Sequence, residues 1–145
     1  MKNRKIYKNS KRMEVKIISF NQGIFFKNQA KSLSLRGDNG DIGIFPGHLH
    51  LLTKFCLSFI YLELENIEEF FFASEGILQV HPENVIIIVN TIENLKNLDI
   101  DLLKKEKILK ESIIKKTKEK TKKLKLYKKI LEINMKLHIF TYYKK

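Results

Sequence analysis

Gly37-Asp38-Asn39-Gly40-Asp41-Ile42-Gly43-Ile44-Phe45-Pro46-Gly47-His48 holds four of the six glycines and one of the two prolines in a chain of 145 residues, and its reading decides the fold. Glycine tolerates positive φ without strain, while Pro46 fixes its own φ and pushes Phe45 towards an extended conformation. The stretch therefore reads as a rigid loop, with Gly43 and Gly47 as candidate positive-φ sites. A Gly-x-x-Gly-x-x-Gly spacing superficially suggests a nucleotide fingerprint. That motif needs a strand before it and a helix after it, with a phosphate at the helix N-terminus. The residues beyond His48 are strand-like, so the nucleotide reading is rejected.

On either side of the loop the chain alternates in short runs. Val15 to Phe20, Ile24 to Phe26 after a Gly23 turn, and Lys31 to Leu35 carry strand signals separated by turn residues. Thr53 to Glu65 is longer, rich in β-branched and aromatic residues, and reads as one or two core strands. Phe70 to Ala73, Ile77 to Val80 and Val85 to Val89 come next, with Glu75-Gly76 and His81-Pro82-Glu83-Asn84 as the intervening turns. Several short strands at this spacing predict a sandwich or barrel. Beyond Asn97 the period changes. Asp99 or Asp101 can cap a helix, Leu102, Leu109 and Ile113 recur at helical spacing, and Leu124, Tyr127, Ile130, Leu131 and Met135 form a second stripe. Lys115 to Lys123 contains no apolar residue, yet no Gly or Pro marks a turn there, so a helical hairpin and one continuous helix are both open.

Taken alone, a formal charge of +12 and a pI of about 9.7 suggest nucleic acid or an anionic membrane as partner. The charge is unevenly placed. Lysines concentrate in residues 2 to 16 and 104 to 145, whereas the middle carries Glu63, Glu65, Glu68, Glu69, Glu75 and Glu83. A nucleic-acid binder would set basic and aromatic residues together on its strands, so a small basic nucleic-acid-binding β-barrel is the alternative reading and not the first. Residues 1–12 are cationic without periodicity and read as a disordered extension. No apolar run of the kind an export signal needs comes after them, and Met13 is a candidate start. Cys56 is the one cysteine, which excludes an intrachain disulfide and fits a reducing compartment. No apolar run approaches the ~18 residues of a spanning helix, so direct membrane insertion is not expected. His48-Leu49-His50 with Asp41 nearby supplies too few ligands for a metal centre. Nothing assembles a nucleophile, a base and an oxyanion donor, so neither a metal nor a catalytic residue is expected in this chain.

Gly40-Asp41-Ile42-Gly43-Ile44-Phe45-Pro46-Gly47-His48 with Leu51-Leu52-Thr53 after it resembles the signature segment of the ATP synthase epsilon subunit, G-E-x-G-I-x-P-G-H-x-P-L-L-T, with His50 in place of the second proline. Ala73 to Val80 and Val89-Asn90-Thr91-Ile92-Glu93 are similar to two further segments of that family, S-G-G-x-x-x-V and V-x-x-x-A-D-T-A-E, from which Glu75, Asn90 and Ile92 depart. The resemblance spans about Val15 to Asp101. It implies a flattened β-sandwich of two packed antiparallel sheets over residues 13–97, followed by a C-terminal α-helical hairpin over 98–145. It also implies a non-catalytic rotor component that couples the gamma subunit to the membrane c-ring, peripheral on the cytoplasmic face of the cell membrane, with its helices contacting the alpha/beta catalytic head transiently. Mapped by residue, Asp41, Ile42, Gly43, Phe45, Pro46, Gly47 and His48 form the implied rotor and ring interface. Asp101, Lys104, Lys115, Lys116, Lys122 and Lys123 fall on the implied regulatory helices. Some relatives bind ATP with an I/L-D-x-x-R-A segment. Here it reads Ile100-Asp101-Leu102-Leu103-Lys104-Lys105, and no arginine occurs after Arg36, so no ATP or other cofactor is expected.

Overall fold

The computed structural model describes residues 11–37 and 40–143; the predicted disordered extension lies outside these apart from Lys11 and Arg12. Seven strands come first: β1 (Met13–Ser19), β2 (Gly23–Ala30), β3 (Ser32–Gly37), β4 (Gly40–Ile44), β5 (Leu51–Glu63), β6 (Glu68–Val80) and β7 (Asn84–Asn94). After a 3₁₀ turn at Leu95–Asn97 come two helices, α1 (Ile100–Lys116) and α2 (Lys120–Tyr143). Contacts divide the chain after Asn94 into a strand unit and a helical unit.

The strands form one hydrogen-bonded sheet in the order β2-β1-β7-β6-β5-β3-β4. Six strand pairs make it up, all antiparallel except β1 with β7, where Glu14 to Ser19 run parallel to Asn84 to Val89. The expectation of purely antiparallel sheets is corrected at that pair. The sheet is doubled over on itself. The rings of Phe25 and Phe26 on β2 each lie 5.4 Å from that of Phe71 on β6. In a flat sheet β2 and β6 stand three positions apart, roughly 14 Å at about 4.8 Å per strand.

The fold line is visible in the ladders. Pairing runs through Phe55, Gly76 and Val89 on three adjacent strands and resumes at Leu57, Ser74 and Thr91, skipping Cys56, Glu75 and Asn90. On each strand the buried side changes parity across that row: Phe55 gives way to Ser58, Ile60 and Leu62; Phe71 and Ala73 to Leu78 and Val80; Val89 to Ile92. On each strand one residue stands opposite its neighbour's without a ladder pair, and the register is the same on either side. This aligned row of unpaired residues is the crease between the two layers. Glu75-Gly76 thus lies inside a single thirteen-residue strand and is not the predicted turn. β5 likewise runs unbroken for thirteen residues.

Between the layers lies one apolar core including Val15, Ile17, Leu33, Leu35, Ile44, Ile60, Leu62, Leu78 and Ile87, each at most 1% exposed. β1 reads strictly alternate, buried at Met13, Val15, Ile17 and Ser19, which is the period-2 pattern of a half-buried strand. Arg12 closes the near end by donating from Nε and Nη2 to Glu65 Oε2 at 3.1 and 2.7 Å.

In the helical unit, Asp99 caps α1 by accepting from the Leu102 amide at 3.1 Å. The chain breaks at Thr117, whose backbone is extended (φ −89°, ψ 128°). Its hydroxyl donates to the Ile113 carbonyl at 2.7 Å and its amide to that of Ile114 at 3.2 Å, satisfying two orphan acceptors of the last turn. The two helices touch one another across this three-residue connection, so the hairpin is the outcome and the single helix is not. The predicted stripes are displaced in part. Leu102, Leu109, Ile113, Leu124, Tyr127 and Leu131 are 41–60% exposed and Ile130 and Met135 half-buried, while Leu103, Ile133 and Ile139 are buried.

Candidate interface at the end of the sandwich

Gly37 to His48, read from sequence as a single loop, is not one. Gly40 to Ile44 is a strand paired antiparallel with β3, in register from Gly37↔Gly40 to Leu33↔Ile44. Glycine content hid it, because two of five residues lack the side chain that makes a strand pattern readable. Its alternation is nonetheless strict. Ile42 packs on the core and Ile44 is fully buried, while Asp41, Gly43 and Phe45 face outward. Gly43 has no positive φ, and a Cβ built there meets only Phe45 Cε2 at 3.8 Å, so the prediction that it is conformationally special is corrected.

Past Ile44 the backbone reverses in a turn of type II: the His48 amide donates to the Phe45 carbonyl at 3.1 Å, Pro46 occupies the second position and Gly47 the third at φ +87°. That φ is the left-handed one the third position demands, so Gly47 carries the turn as predicted. The Gly47 amide donates outward to the Pro82 carbonyl at 2.8 Å, tying this turn to the β6–β7 connection. His48 Nδ1 donates to the Leu49 carbonyl at 2.7 Å.

The seven predicted interface residues therefore divide. Asp41 lies near the β3–β4 connection, opposite Arg36 with a 3.4 Å ion pair between two exposed side chains. Pro46, Gly47 and His48 lie at the other end of β4, roughly 13 Å away at about 3.3 Å per residue. They do not shape one tip with Asp41, contrary to the sequence-based expectation. Phe45, 63% exposed, adjoins them in the chain, and Leu49 and Leu52 are exposed as well.

On the helices, Asp101 and Lys104 are exposed in the first turns of α1. Lys115, Lys116, Lys122 and Lys123 instead surround the Thr117–Glu119 connection, and Lys122 lies 3.5 Å from Glu119. Asp101 and Lys115 are fourteen residues apart on one helix, about 21 Å at 1.5 Å per residue, so the regulatory set also forms two groups. Lys115 and Lys116 complement the α1 C-terminus, whereas Lys122 and Lys123 sit unfavourably at the N-terminus of α2.

Sequence reasoning missed one feature. A groove of about 640 Å³ runs along the fold line, lined by Phe20, Cys56, Glu75, Ile77, Ile88 and Asn90 among others. Ile77 and Ile88 face outward there, 40% and 37% exposed. The signal was the uninterrupted Val85-Ile86-Ile87-Ile88-Val89, apolar on both faces where a half-buried strand alternates.

Residues 12–95 match the family model described as ATP synthase, Delta/Epsilon chain, beta-sandwich domain. The ATP synthase epsilon chain of Delftia acidovorans is 32% identical over 107 residues, covering 73% of this chain and 77% of that protein. A chain in the cryo-EM structure of the Euglena gracilis mitochondrial ATP synthase (OSCP/F1/c-ring, rotational state 1) superposes with a TM-score of 0.75 at 16% identity, over 88% of this chain and 80% of its own length. A chain in the central stalk/c-ring structure of the Tetrahymena thermophila mitochondrial ATP synthase gives 0.52 at 14% identity, over 60% and 69%. At these identities the two structures show the fold.

Proposed function

This chain belongs to the ATP synthase delta/epsilon-chain family, and from that premise we propose that its sandwich joins the gamma subunit to the membrane c-ring through the two ends of β4. Its role in the complex is that of an epsilon subunit, a non-catalytic component of the central stalk. The observation carrying the assignment of surfaces is the type II turn at Phe45–His48, pinned by the Gly47 to Pro82 hydrogen bond. Torque passes between subunits only through contacts that do not yield, and a turn in which Pro46 fixes its own φ and Gly47 is held by the bond to Pro82 keeps Phe45 and His48 in place. Asp41, at the opposite end of β4, presents an exposed carboxylate to a separate partner surface. The c-ring loops are the partner we assign to Asp41, and gamma the partner we assign to the Phe45–His48 end.

Among the described residues no helix is long and apolar enough to cross a membrane. Membrane association then runs through the complex, on the cytoplasmic face in our reading. The nucleic-acid reading finds no support: the sheet has open edges at β2 and β4 and is not a closed barrel, and Phe71, Phe72 and Phe59 are buried, not offered for stacking. We further infer that α1 holds no ATP, since Lys104 gives a point charge where bidentate phosphate contact needs a planar fork. Calorimetric titration with ATP at about 0.15 M salt is expected to show no saturable micromolar binding. Affinity capture of the tagged full chain from membranes is expected to bring down the catalytic-head and c-ring subunits. Asp41→Lys should weaken retention of the ring and leave gamma bound. Loss of both together, or of neither, would refute the assignment of surfaces.

A further inference from the structure

Just beyond the paired residues Leu51 and Val80, at the open end of the β5–β6 ladder, His50 and His81 stand opposite one another. Their Nδ1 atoms are 2.9 Å apart and their rings meet edge to face with centroids 4.9 Å apart. Sequence spacing pairs His50 with His48, but the fold pairs it with a residue thirty-one positions away. We propose that His50 and His81 form a two-imidazole chelate for a divalent transition-metal ion, with Cu²⁺ and Ni²⁺ preferred over Zn²⁺.

The geometry carries the preference. A metal bound about 2.0–2.1 Å from each of two nitrogens 2.9 Å apart subtends an angle of about 90°. That is the angle between neighbouring ligands in square-planar or octahedral coordination, well below the tetrahedral value that Zn²⁺ adopts in protein sites. A small rotation of each ring turns both lone pairs from one another towards the ion. Without metal, the two neutral rings share one hydrogen bond, one Nδ1–H donating to the other's bare Nδ1. The Gln79 side-chain Nε2 lies 2.9 Å from His81 Nε2. Turning that amide by half a rotation brings its oxygen to the ring, where it would accept the Nε2–H and leave Nδ1 bare for the ion, the arrangement that fixes the tautomer of metal-bound histidines. The backbone beneath is fixed by the His81 amide donating to the Asn84 carbonyl at 2.7 Å and by the Gly47 to Pro82 hydrogen bond. Among the described residues no third histidine, cysteine or carboxylate completes a cage. The remaining coordination positions therefore face solvent, and His50 is exposed.

The test titrates the chelator-stripped full chain with CuSO₄, NiCl₂ and ZnCl₂ by calorimetry, with paramagnetic broadening of histidine resonances by Ni²⁺ or Cu²⁺ as the local readout. One saturable ion per chain is expected, Cu²⁺ binding more tightly than Zn²⁺, with His50 and His81 broadened first. His50→Ala and His81→Ala should each weaken binding by at least about tenfold, on the scale of lost ligand-shell contacts, while His48→Ala should stay within about twofold of the parent chain. Circular dichroism checks that each variant is folded. Absence of saturable uptake, uptake of parental affinity in the His50→Ala/His81→Ala double variant, or an equal loss in His48→Ala would each overturn the proposal.

Discussion

Glu75 holds φ +27°, a left-handed backbone at a non-glycine residue in the row where three strands leave the ladder. An L-residue there costs on the order of 1–2 kcal/mol, and glycine would recover part of it against its own entropy cost of about 0.5–1 kcal/mol. Glu75→Gly is therefore expected to raise stability by roughly 0.5–1 kcal/mol in urea unfolding. Its neighbour behaves oppositely: a Cβ on Gly76 would overlap the Ile88 carbonyl oxygen and lie 2.7 Å from Phe55 Cζ. Gly76→Ala should cost about 3 kcal/mol or more, at the upper end of overpacking. Gly43→Ala, in open extended backbone, should stay within about 0.5 kcal/mol of the parent. Equal melting points for Gly76→Ala and Gly43→Ala would contradict the close packing of the fold line. At the sandwich edge, Arg12 hydrogen-bonds Glu65 and holds its carboxyl below the usual carboxylate range, with the charge of the guanidinium adding to the effect. A depressed folded-state pKa contributes stability that is present above the ordinary carboxylate pKa and lost as pH falls through the lowered value. Carboxyl NMR titration of Glu65 should give a lower midpoint in the parent chain than in Arg12→Ala.

Element by element, the strands were legible where one face is buried and the other wet. β1 shows this most clearly, since its alternation is unbroken. β5 and β6 read as broken or doubtful because the unpaired row inverts their parity midway, and a pattern reader sees a phase change as an end. β4 read as loop for want of side chains. The helices posed the converse problem. Hydrophobicity placed the seam on Leu102, Leu109, Ile113, Leu124, Tyr127, Ile130, Leu131 and Met135, of which Ile130 and Met135 are half-buried and the other six exposed. One buried position, a turn from both Ile133 and Ile139, is a lysine. Lys136 is 9% exposed in its side chain and sits 3.4 Å from Glu132, its long aliphatic stem covered where an alphabet of polar and apolar letters marks it outward. The two stripes can be told apart by truncation. Ile133→Ala, at a buried position, should destabilise the helical signal by about 2–4 kcal/mol, and Leu109→Ala should change it by less than about 0.5 kcal/mol, both read by circular dichroism in urea. The interface residues were legible as a motif and not as geometry: Gly47 was readable from Pro-Gly chemistry, whereas the separation of Asp41 from His48 depends on the strand between them.

Across the whole molecule, charge and architecture divide at the same place. From Leu95 onward the chain carries 17 lysines against 6 carboxylates, a net +11 of the total +12, which leaves the strand unit near neutrality. A chain ending at Asn94 should therefore fold by itself, keep a cooperative thermal transition and elute from a cation exchanger well before the full protein. A fragment without a cooperative transition would mean that the sheet needs the helices. The parallel pairing of β1 with β7 reaches further than stability, because it joins residues 14–19 to 84–89 and makes the first strand wait for the last. On a ribosome adding about 5–20 residues per second, the 65 residues from the end of β1 to the start of β7 take on the order of 3–13 s. During that interval the nascent β1–β2 hairpin has one backbone edge with no strand to meet. The N-terminal end of the sandwich is thus the segment that chaperones would encounter earliest and cover longest.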